Sequence, residues 1–239
     1  MPIVDILKIP VYHYSMPRSK IATPRLGGIK GRSATEESIR TEIARGELVP
    51  GQRLVETELS ERYGATRNSV RLALDALCAD GLVVRIPNHG ARVRTVSLTE
   101  AVEIMECRMV LDGLLTRKAV ENGTDDDIAG IKSNLDSMEQ LLYDLDLARY
   151  SELIQVHHSL VQRAARHRVG SDIVGTLQGQ IVRHQFRLSL RPFRAKNSLK
   201  ELRTVVEAIV RRDADAAEVA ARIHFSKVIA ALREEAEND

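Results

Sequence analysis

The segment TELSERYGATRNSVR, residues 57–71, constrains this chain more than any other, because its apolar and polar groups can be satisfied together in few ways. Leu59 and Tyr63 share one helical face, Gly64 and Ala65 break the period, and Thr66 supplies a hydroxyl that can cap a following helix. That second helix carries an apolar stripe of Val70, Ala73, Leu74 and Leu77. Helix, tight turn and helix make the helix-turn-helix plan. Arg67, Asn68, Ser69 and Arg71 crowd the start of the second helix, the end that such motifs push into the major groove, where arginine and asparagine read base edges. An ordinary helix with a solvated first turn would carry similar residues, so the flanks decide.

Upstream, Ser33 and Glu36 have capping-box spacing and predict a helix that runs through Ile39 and Ile43 to Gly46. Gly46, Leu48, Pro50, Gly51 and Leu54 form a turn-rich bridge into the helix pair. Downstream, Asp80 and Gly81 end the recognition helix, with glycine at the left-handed position. Two short strands follow: Leu82, Val84 and Ile86 alternate with Val83 and Arg85, Pro87-Asn88-His89-Gly90 makes the turn, and Ala91 and Val93 alternate with Arg92 and Arg94. A basic hairpin directly after a recognition helix is a wing. Gly90 lets the backbone approach phosphate, and Arg92 and Arg94 are candidates for phosphate contacts.

A chain of 239 residues accommodates one large domain or two small ones. Residues 1–96 carry 15 Lys and Arg against 10 Asp and Glu, whereas residues 97–239 carry 20 against 23. The half that holds the helix-turn-helix therefore has the sign that phosphate binding needs. No apolar run reaches membrane-spanning length, and MPIVDILKIP has an aspartate and prolines where a signal peptide needs an unbroken apolar stretch, so a cytoplasmic protein with no membrane partner is expected. Cys78 and Cys107 are too few for a disulfide framework or a zinc knuckle and read as packing residues. Residues 1–32 hold four of the seven prolines and three of the fourteen glycines without a helical or strand period. They read as a flexible N-terminal arm, with a basic arm that touches DNA as the alternative.

From Ser97 the strand signals vanish. Long amphipathic segments divided at Asn122-Gly123-Thr124, Asp144 to Asp146, Val169-Gly170-Ser171, Arg191-Pro192 and Asp213 predict about six helices in an antiparallel bundle. The fold class is thus mainly α: a winged helix-turn-helix with a small β-hairpin over residues 33–96, then an all-helical domain over residues 97–239. Polar residues interrupt the inward stripes of this second half. His157 falls in the stripe of Leu153, Leu160 and Ala164, His184 in that of Ile173, Leu177, Ile181 and Leu188, and His224 in that of Ala217, Ala220, Val228 and Ala231. Arg108 joins them from Ile104, Leu111 and Leu115, with Asp112 one turn away as its partner.

The run from Ile39 to Val96 resembles the DNA-binding domain of the GntR transcriptional regulators. These share G-x-L-x-P-G-x-x-L, then L-(A/S)-x-x-(L/Y)-G-x-(S/T)-R-x-x-V-R-x-A-L-x-x-L-x-x-(D/E)-G-L, then a wing with glycine at its tip. Here the first part is Gly46, Leu48, Pro50, Gly51 and Leu54. The second runs from Leu59, Ser60, Tyr63 and Gly64 through Thr66, Arg67, Val70 and Arg71 to Ala73, Leu74, Leu77, Asp80, Gly81 and Leu82, and the wing glycine is Gly90. The resemblance implies DNA contacts from Thr57, Thr66, Arg67, Asn68, Ser69, Arg71, His89 and Gly90. Ser69 stands where many members have proline and Thr57 where some have arginine, departures that bear on operator preference.

The second half resembles, more loosely, the ligand-binding bundle of the FadR, or FCD, subgroup. Arg108-x-x-x-Asp112, Val156-His157, and the stretch Glu201 to Asp213 followed by Ala217 and His224 carry the likeness. Many members of that subgroup hold a divalent metal with an aspartate and three histidines. The matching positions here are Leu153, His157, Leu202 and His224, so two of the four ligands are leucine, and two neutral imidazoles hold an ion weakly. No metal or other cofactor is expected. Arg108, His157, His184 and His224 are the effector-binding candidates, suited to a small carboxylate. A three-histidine metal site rebuilt from His157, His184 and His224 is one alternative, and a core that merely satisfies its histidines is another.

The expected function is a DNA-binding transcriptional regulator, a repressor, whose affinity for operator DNA shifts when a small organic acid binds the bundle. The resemblance alone implies a homodimer on a pseudo-palindromic operator. The rival is a DNA-binding protein with no effector. An enzyme is not expected, since no nucleophile motif, paired carboxylates or glycine-rich phosphate loop accompanies His157 and His158.

Overall fold

Caps and left-handed turns set the boundaries of the first unit, which comprises α1 (Ile29–Arg45), β1 (Arg53–Leu54), α2 (Glu56–Tyr63), α3 (Arg67–Ala79), β2 (Val83–Ile86) and β3 (Gly90–Val93). The computed structural model describes residues 29–238 apart from residue 88. Helix α1 opens one turn earlier than the sequence suggests, so Ser33 lies inside it and caps nothing. Residues 29–32, expected in the arm, are its first turn, and the Thr35 hydroxyl donates back to the Gly31 carbonyl within it. The remainder of the expected arm lies outside the described residues. Gly64 at φ +60 ends α2, and Thr66 starts α3 by accepting the Ser69 N–H at 3.1 Å. Gly81 leaves α3 at φ +71, a conformation costly for any side chain with a Cβ.

The sheet has three strands where the sequence marks two, in the antiparallel order β1-β3-β2. Strand β1 pairs Arg53 with Arg92 and Leu54 with Ala91, and two residues are too few to show an alternation. In the hairpin Val83 faces Val93 and Ile86 faces Gly90. Leu82, Val84 and Ile86 do not share a buried face: Leu82 is buried ahead of the strand, Val83 and Val93 point inward, and Val84 is exposed. Starting the strand one residue later exchanges its faces. Ile39, Leu48, Leu54, Leu74, Leu77 and Val83 close the core of this unit.

Six helices follow among the described residues: α4 (Leu98–Asn122), α5 (Asp125–Tyr143), α6 (Leu147–Ala165), α7 (Arg168–Ser189), α8 (Pro192–Val210) and α9 (Ala214–Asn238). Ser97 caps α4, Thr124 and Asp127 form a capping box on α5, Asp146 caps α6, and Pro192 sits in the first turn of α8. The third break falls before Arg168, and Gly170 is inside α7. Arg166 makes that break at φ +49, held by its Nη1 on the Asn122 carbonyl at 2.7 Å and its Nη2 on Asp127 at 2.9 Å. Helices α4 and α9 run antiparallel, Arg233 pairing with Glu106 at one end and Arg117 with Glu218 and Asp215 at the other. The bundle has one apolar cluster around Leu115, Ile131, Tyr150 and Ile209, and a second around Met105, Ile181, Leu188 and Phe225 that reaches Leu98 at the start of α4 and Val96 in the linker.

Candidate nucleic-acid interface and effector pocket

At the start of α3, Thr66, Arg67 and Asn68 are exposed, so a side-chain fork and an amide project beside the unsatisfied backbone N–H groups of a helix N-terminus. Ser69 behaves differently from expectation. Its Oγ lies 2.9 Å from the Thr66 Oγ1 and its N–H is bound there too, so at 8% exposure it completes the cap and presents nothing to a groove. Arg71 is exposed, and its Nε and Nη2 both lie 3.4 Å from Glu56 Oε2. Thr57, beside Glu56 in the first turn of α2, is half-buried.

The wing divides its arginines by task. Arg85 reaches Asp75 at 2.8 Å, Glu56 at 3.2 Å and the Arg71 carbonyl at 3.5 Å, binding β2 to α2 and α3 across the candidate DNA face. Arg92 does not stand free for phosphate: its Nη1 donates to the Gly51 carbonyl at 2.8 Å, because β1 brings that turn beside β3. Arg94 is turned the other way altogether, pairing with Glu100 of α4. His89 and Gly90 remain at the exposed tip, His89 with Nδ1 on the Pro87 carbonyl at 2.9 Å and Gly90 at φ +79 with open space where a Cβ would stand. Sequence reasoning missed Glu56 and Asp75 as the acids that organise this face, since pairs 10 to 29 residues apart leave no periodic trace.

In the bundle, Arg108 is wholly buried. Its Nε donates to Asp112 Oδ2 at 3.0 Å, its guanidinium carbon stands 5.1 Å from the centre of the Phe225 ring, and Nη1 and Nη2 have no hydrogen-bond partner among the described residues. Around it are His157, His158 and His224, all nearly buried. The His158 ring lies 5.9 Å from His157, 6.4 Å from His224 and 5.7 Å from Phe225, centre to centre. The sequence singled out His157 and passed over His158. The buried face of α6, with Tyr150, His157, His158 and Val161, is wide enough to take two neighbours, which a narrow one-stripe reading excludes.

Burial pushes the His157 imidazole down to about 4, and it holds His158 well below the usual histidine range, with the Arg108 charge adding to the effect. His224 is lowered by the same burial, offset in part by Glu201, whose Oε2 lies 2.8 Å from His224 Nδ1. Only a proton on Nδ1 makes that contact a hydrogen bond to a carboxylate. Burial raises the Asp112 carboxyl, and Arg108 counters this only in part. The cluster therefore holds a fixed guanidinium charge beside imidazoles kept neutral, each with one donor and one acceptor nitrogen.

His184 does not join it. Its Nε2 lies 2.9 Å from the Val96 carbonyl, where α7 meets the linker, and it lines a small hollow with Leu48, Leu82 and Val93 of the first unit. The stripe is inward at Ile181 and Leu188 but not at Ile173, which is exposed while Val174 is buried; α7 is long enough to face two partners, and the turn that carries His184 faces the winged unit. A separate cavity of about 40 Å³, lined by Tyr150, His158, Gln185, Ser198 and His224, opens beside the cluster. Leu202 is buried in the apolar core and Leu153 packs against it. Among the described residues no group of three or more His, Cys, Asp or Glu side chains is placed to hold a metal ion.

A winged helix-turn-helix joined to a six-helix bundle with a polar heart defines a class of bacterial regulators, and comparison with known proteins gives the class its name. Residues 32–93 match the model of the bacterial regulatory proteins of the gntR family, and residues 103–227 match the FCD domain. The chain belongs to the GntR family of DNA-binding transcriptional regulators, in the branch that carries an FCD domain. It is similar to the HTH-type transcriptional repressor RspR of Escherichia coli K12, 23% identical over 196 residues that cover 82% of this chain and 86% of the relative. It is also similar to the repressor GlaR of the same strain, 27% identical over 54% of this chain and 69% of that protein. Among solved structures, E. coli McbR/YncC superposes with a TM-score of 0.76 at 19% identity, over 86% of this chain and 98% of that one. A GntR regulator structure from Rhodococcus sp. RHA1 gives 0.71 at 18%, over 85% and 97%. No helix of the described residues is long and apolar enough to cross a membrane.

Proposed function

We propose that this regulator is a dimeric repressor whose hold on operator DNA is set by a small carboxylate bound in the bundle, without a metal ion. One observation carries the effector reading: a fully buried guanidinium spends a single nitrogen on Asp112 and leaves a two-pronged fork unpaired. Buried N–H donors without a partner are costly, and a carboxylate is the group whose geometry matches that fork. The donors argue against an ion. Leu153 and Leu202 offer no lone pair, and the Arg108 charge beside His158 repels a cation. His184, held on the Val96 carbonyl and apart from His157 and His224, speaks against the three-histidine alternative.

Transmission runs along α7. Its Gln185, Leu188 and Ser189 line the effector-side cavity. One turn earlier His184 holds the Val96 carbonyl, and another turn earlier Gln180 Nε2 donates at 3.1 Å to the carbonyl of Asp80, the C-cap of the recognition helix. An effector that shifts α7 thereby moves the end of the helix that reads DNA. The coupling needed is on the order of 1 to 3 kcal/mol. Fluorescence anisotropy with duplex from the protein's own promoter, titrated with small carboxylic acids, tests the reading. Arg108→Gln should bind that duplex as wild type does and lose the response, whereas a protein without an effector shows no response in either form.

A further inference from the structure

Glu201 of α8 is a buried carboxylate held from several sides. Arg194 grips it with two parallel contacts, Nη1 to Oε1 at 3.2 Å and Nη2 to Oε2 at 3.1 Å, while His224 Nδ1 donates to Oε2 at 2.8 Å and Lys227 Nζ stands 3.9 Å from Oε1. Arg194 and Glu201 are both largely buried. Burial alone would raise the Glu201 carboxyl, yet His224 and Arg194 hold it below the usual carboxylate range, so it is ionised. A fork and an imidazole N–H converging on one planar anion make a seat for a carboxylate as such, whichever chain carries it.

The position of the seat gives it a second meaning. On its inner side lies the 40 Å³ cavity with His158 and Ser198, too small for a metabolite. On its outer side, between α8 and α9, an open hollow of about 340 Å³ is lined by Arg191, Asn197 and Lys227. Arg194 borders both spaces, His224 the inner and Glu201 the outer. Arg194 with its bound Glu201, together with Leu188, which also lines both spaces, stands between them.

We propose that the Arg194–His224 seat is a carboxylate receptor in which Glu201 is a tethered surrogate: an incoming carboxylate enters from the α8–α9 hollow, displaces Glu201 from Arg194 and His224, and opens the hollow into the buried cavity. The inference deepens the effector reading above and rests on it for its biological meaning, but the chemistry of the seat is measurable without DNA. A tethered competitor acts at an effective concentration of roughly millimolar or more, so it must depress the affinity of any free carboxylate.

Chemical rescue of the full-length protein tests it, with acetate as the probe. Glu201→Ala should melt below wild type, and sodium acetate should restore the loss saturably while sodium chloride at equal ionic strength does not. Half-saturation should come at least tenfold lower than in wild type, and Arg194→Ala in the Glu201→Ala background should abolish the rescue. Equal acetate responses in wild type and Glu201→Ala, or a chloride response of the same size, would overturn the proposal. Should Glu201→Ala fail to fold, the isosteric Glu201→Gln must still gain more from acetate than wild type does, and equal gains sink the idea. Rescue without any carboxylate effect on operator affinity supports the seat and removes the effector reading. Release of DNA by carboxylates without rescue does the reverse.

Discussion

Among the described residues the Arg67 side chain meets no hydrogen-bond or ion-pair partner, whereas Arg71 is tied to Glu56, and this difference predicts different losses on truncation. Arg67→Ala should cost about 1 to 3 kcal/mol of operator affinity and blur discrimination between sequences, if it reads a base edge. Equal weakening on operator and random duplex would make it a phosphate contact. Glu56 holds Arg71 and Arg85 together, so Glu56→Gln releases positive charge at the candidate DNA face. Binding to random duplex should tighten and its salt dependence steepen by about one unit of slope in a log–log plot. In the bundle, burial sets the pH response. The His157 imidazole, at about 4 in the folded chain against 6.5 unfolded, contributes stability that is complete above 6.5 and is lost as pH falls toward 4, on the order of 3 kcal/mol. Urea midpoints at pH 7.5 and 5 should diverge accordingly, and His157→Gln should reduce the difference while the shares of His158 and His224 remain; an unaltered profile would remove His157 from the account. Of the residues in this pocket, Arg108, Asp112, His157 and His224 were legible from helical spacing. His158 and Arg194 were not, because which of two adjacent or distant polar residues meets the cavity depends on how far each helix is rotated, and spacing alone leaves that open.

At the scale of elements, Gly81 serves two ends. Its left-handed φ stops α3, and a Cβ there would stand 2.6 Å from Gln180 Nε2. Gly81→Ala should therefore cost the left-handed strain of about 1 to 2 kcal/mol and, because the Gln180 tip must swing aside, its hydrogen bond to Asp80 as well. Gly90→Ala, equally left-handed but facing open space, should cost only that strain. Comparing the two by chemical denaturation isolates the contribution of α7. Gln180→Ala removes the bond to Asp80 without clash, and it should leave effector binding in place while shrinking its effect on DNA affinity. Unchanged coupling would show that α7 is not the route. The stop at Gly81 was readable, since glycine after an apolar stripe is a local signal. Its contact with Gln180 was not, and neither was β1, whose two residues become a strand only because β3 offers them an edge.

For the molecule as a whole, the division of charge between its halves predicts that operator affinity falls steeply with salt, while the carboxylate binding proposed above, in a buried pocket, should barely change. Sedimentation should give twice the chain mass, and a footprint should show two half-sites about 10 base pairs or a multiple of that apart. A monomer bound to a single half-site would discard the dimer. The plan of a winged unit followed by a helical bundle was legible from the change in period at Ser97, whereas the seam between the two was not, being made by residues such as Arg94, Gln180 and His184 that look like surface or pocket groups in sequence. That seam has an evolutionary consequence. Because one helix both walls the cavity beside His158 and buttresses the recognition helix, under the effector reading proposed above a lineage that alters Gln185 or Leu188 to retune its effector also disturbs its resting occupancy at promoters. New effector preferences in such proteins should therefore arise together with compensating changes in their binding sites on the chromosome.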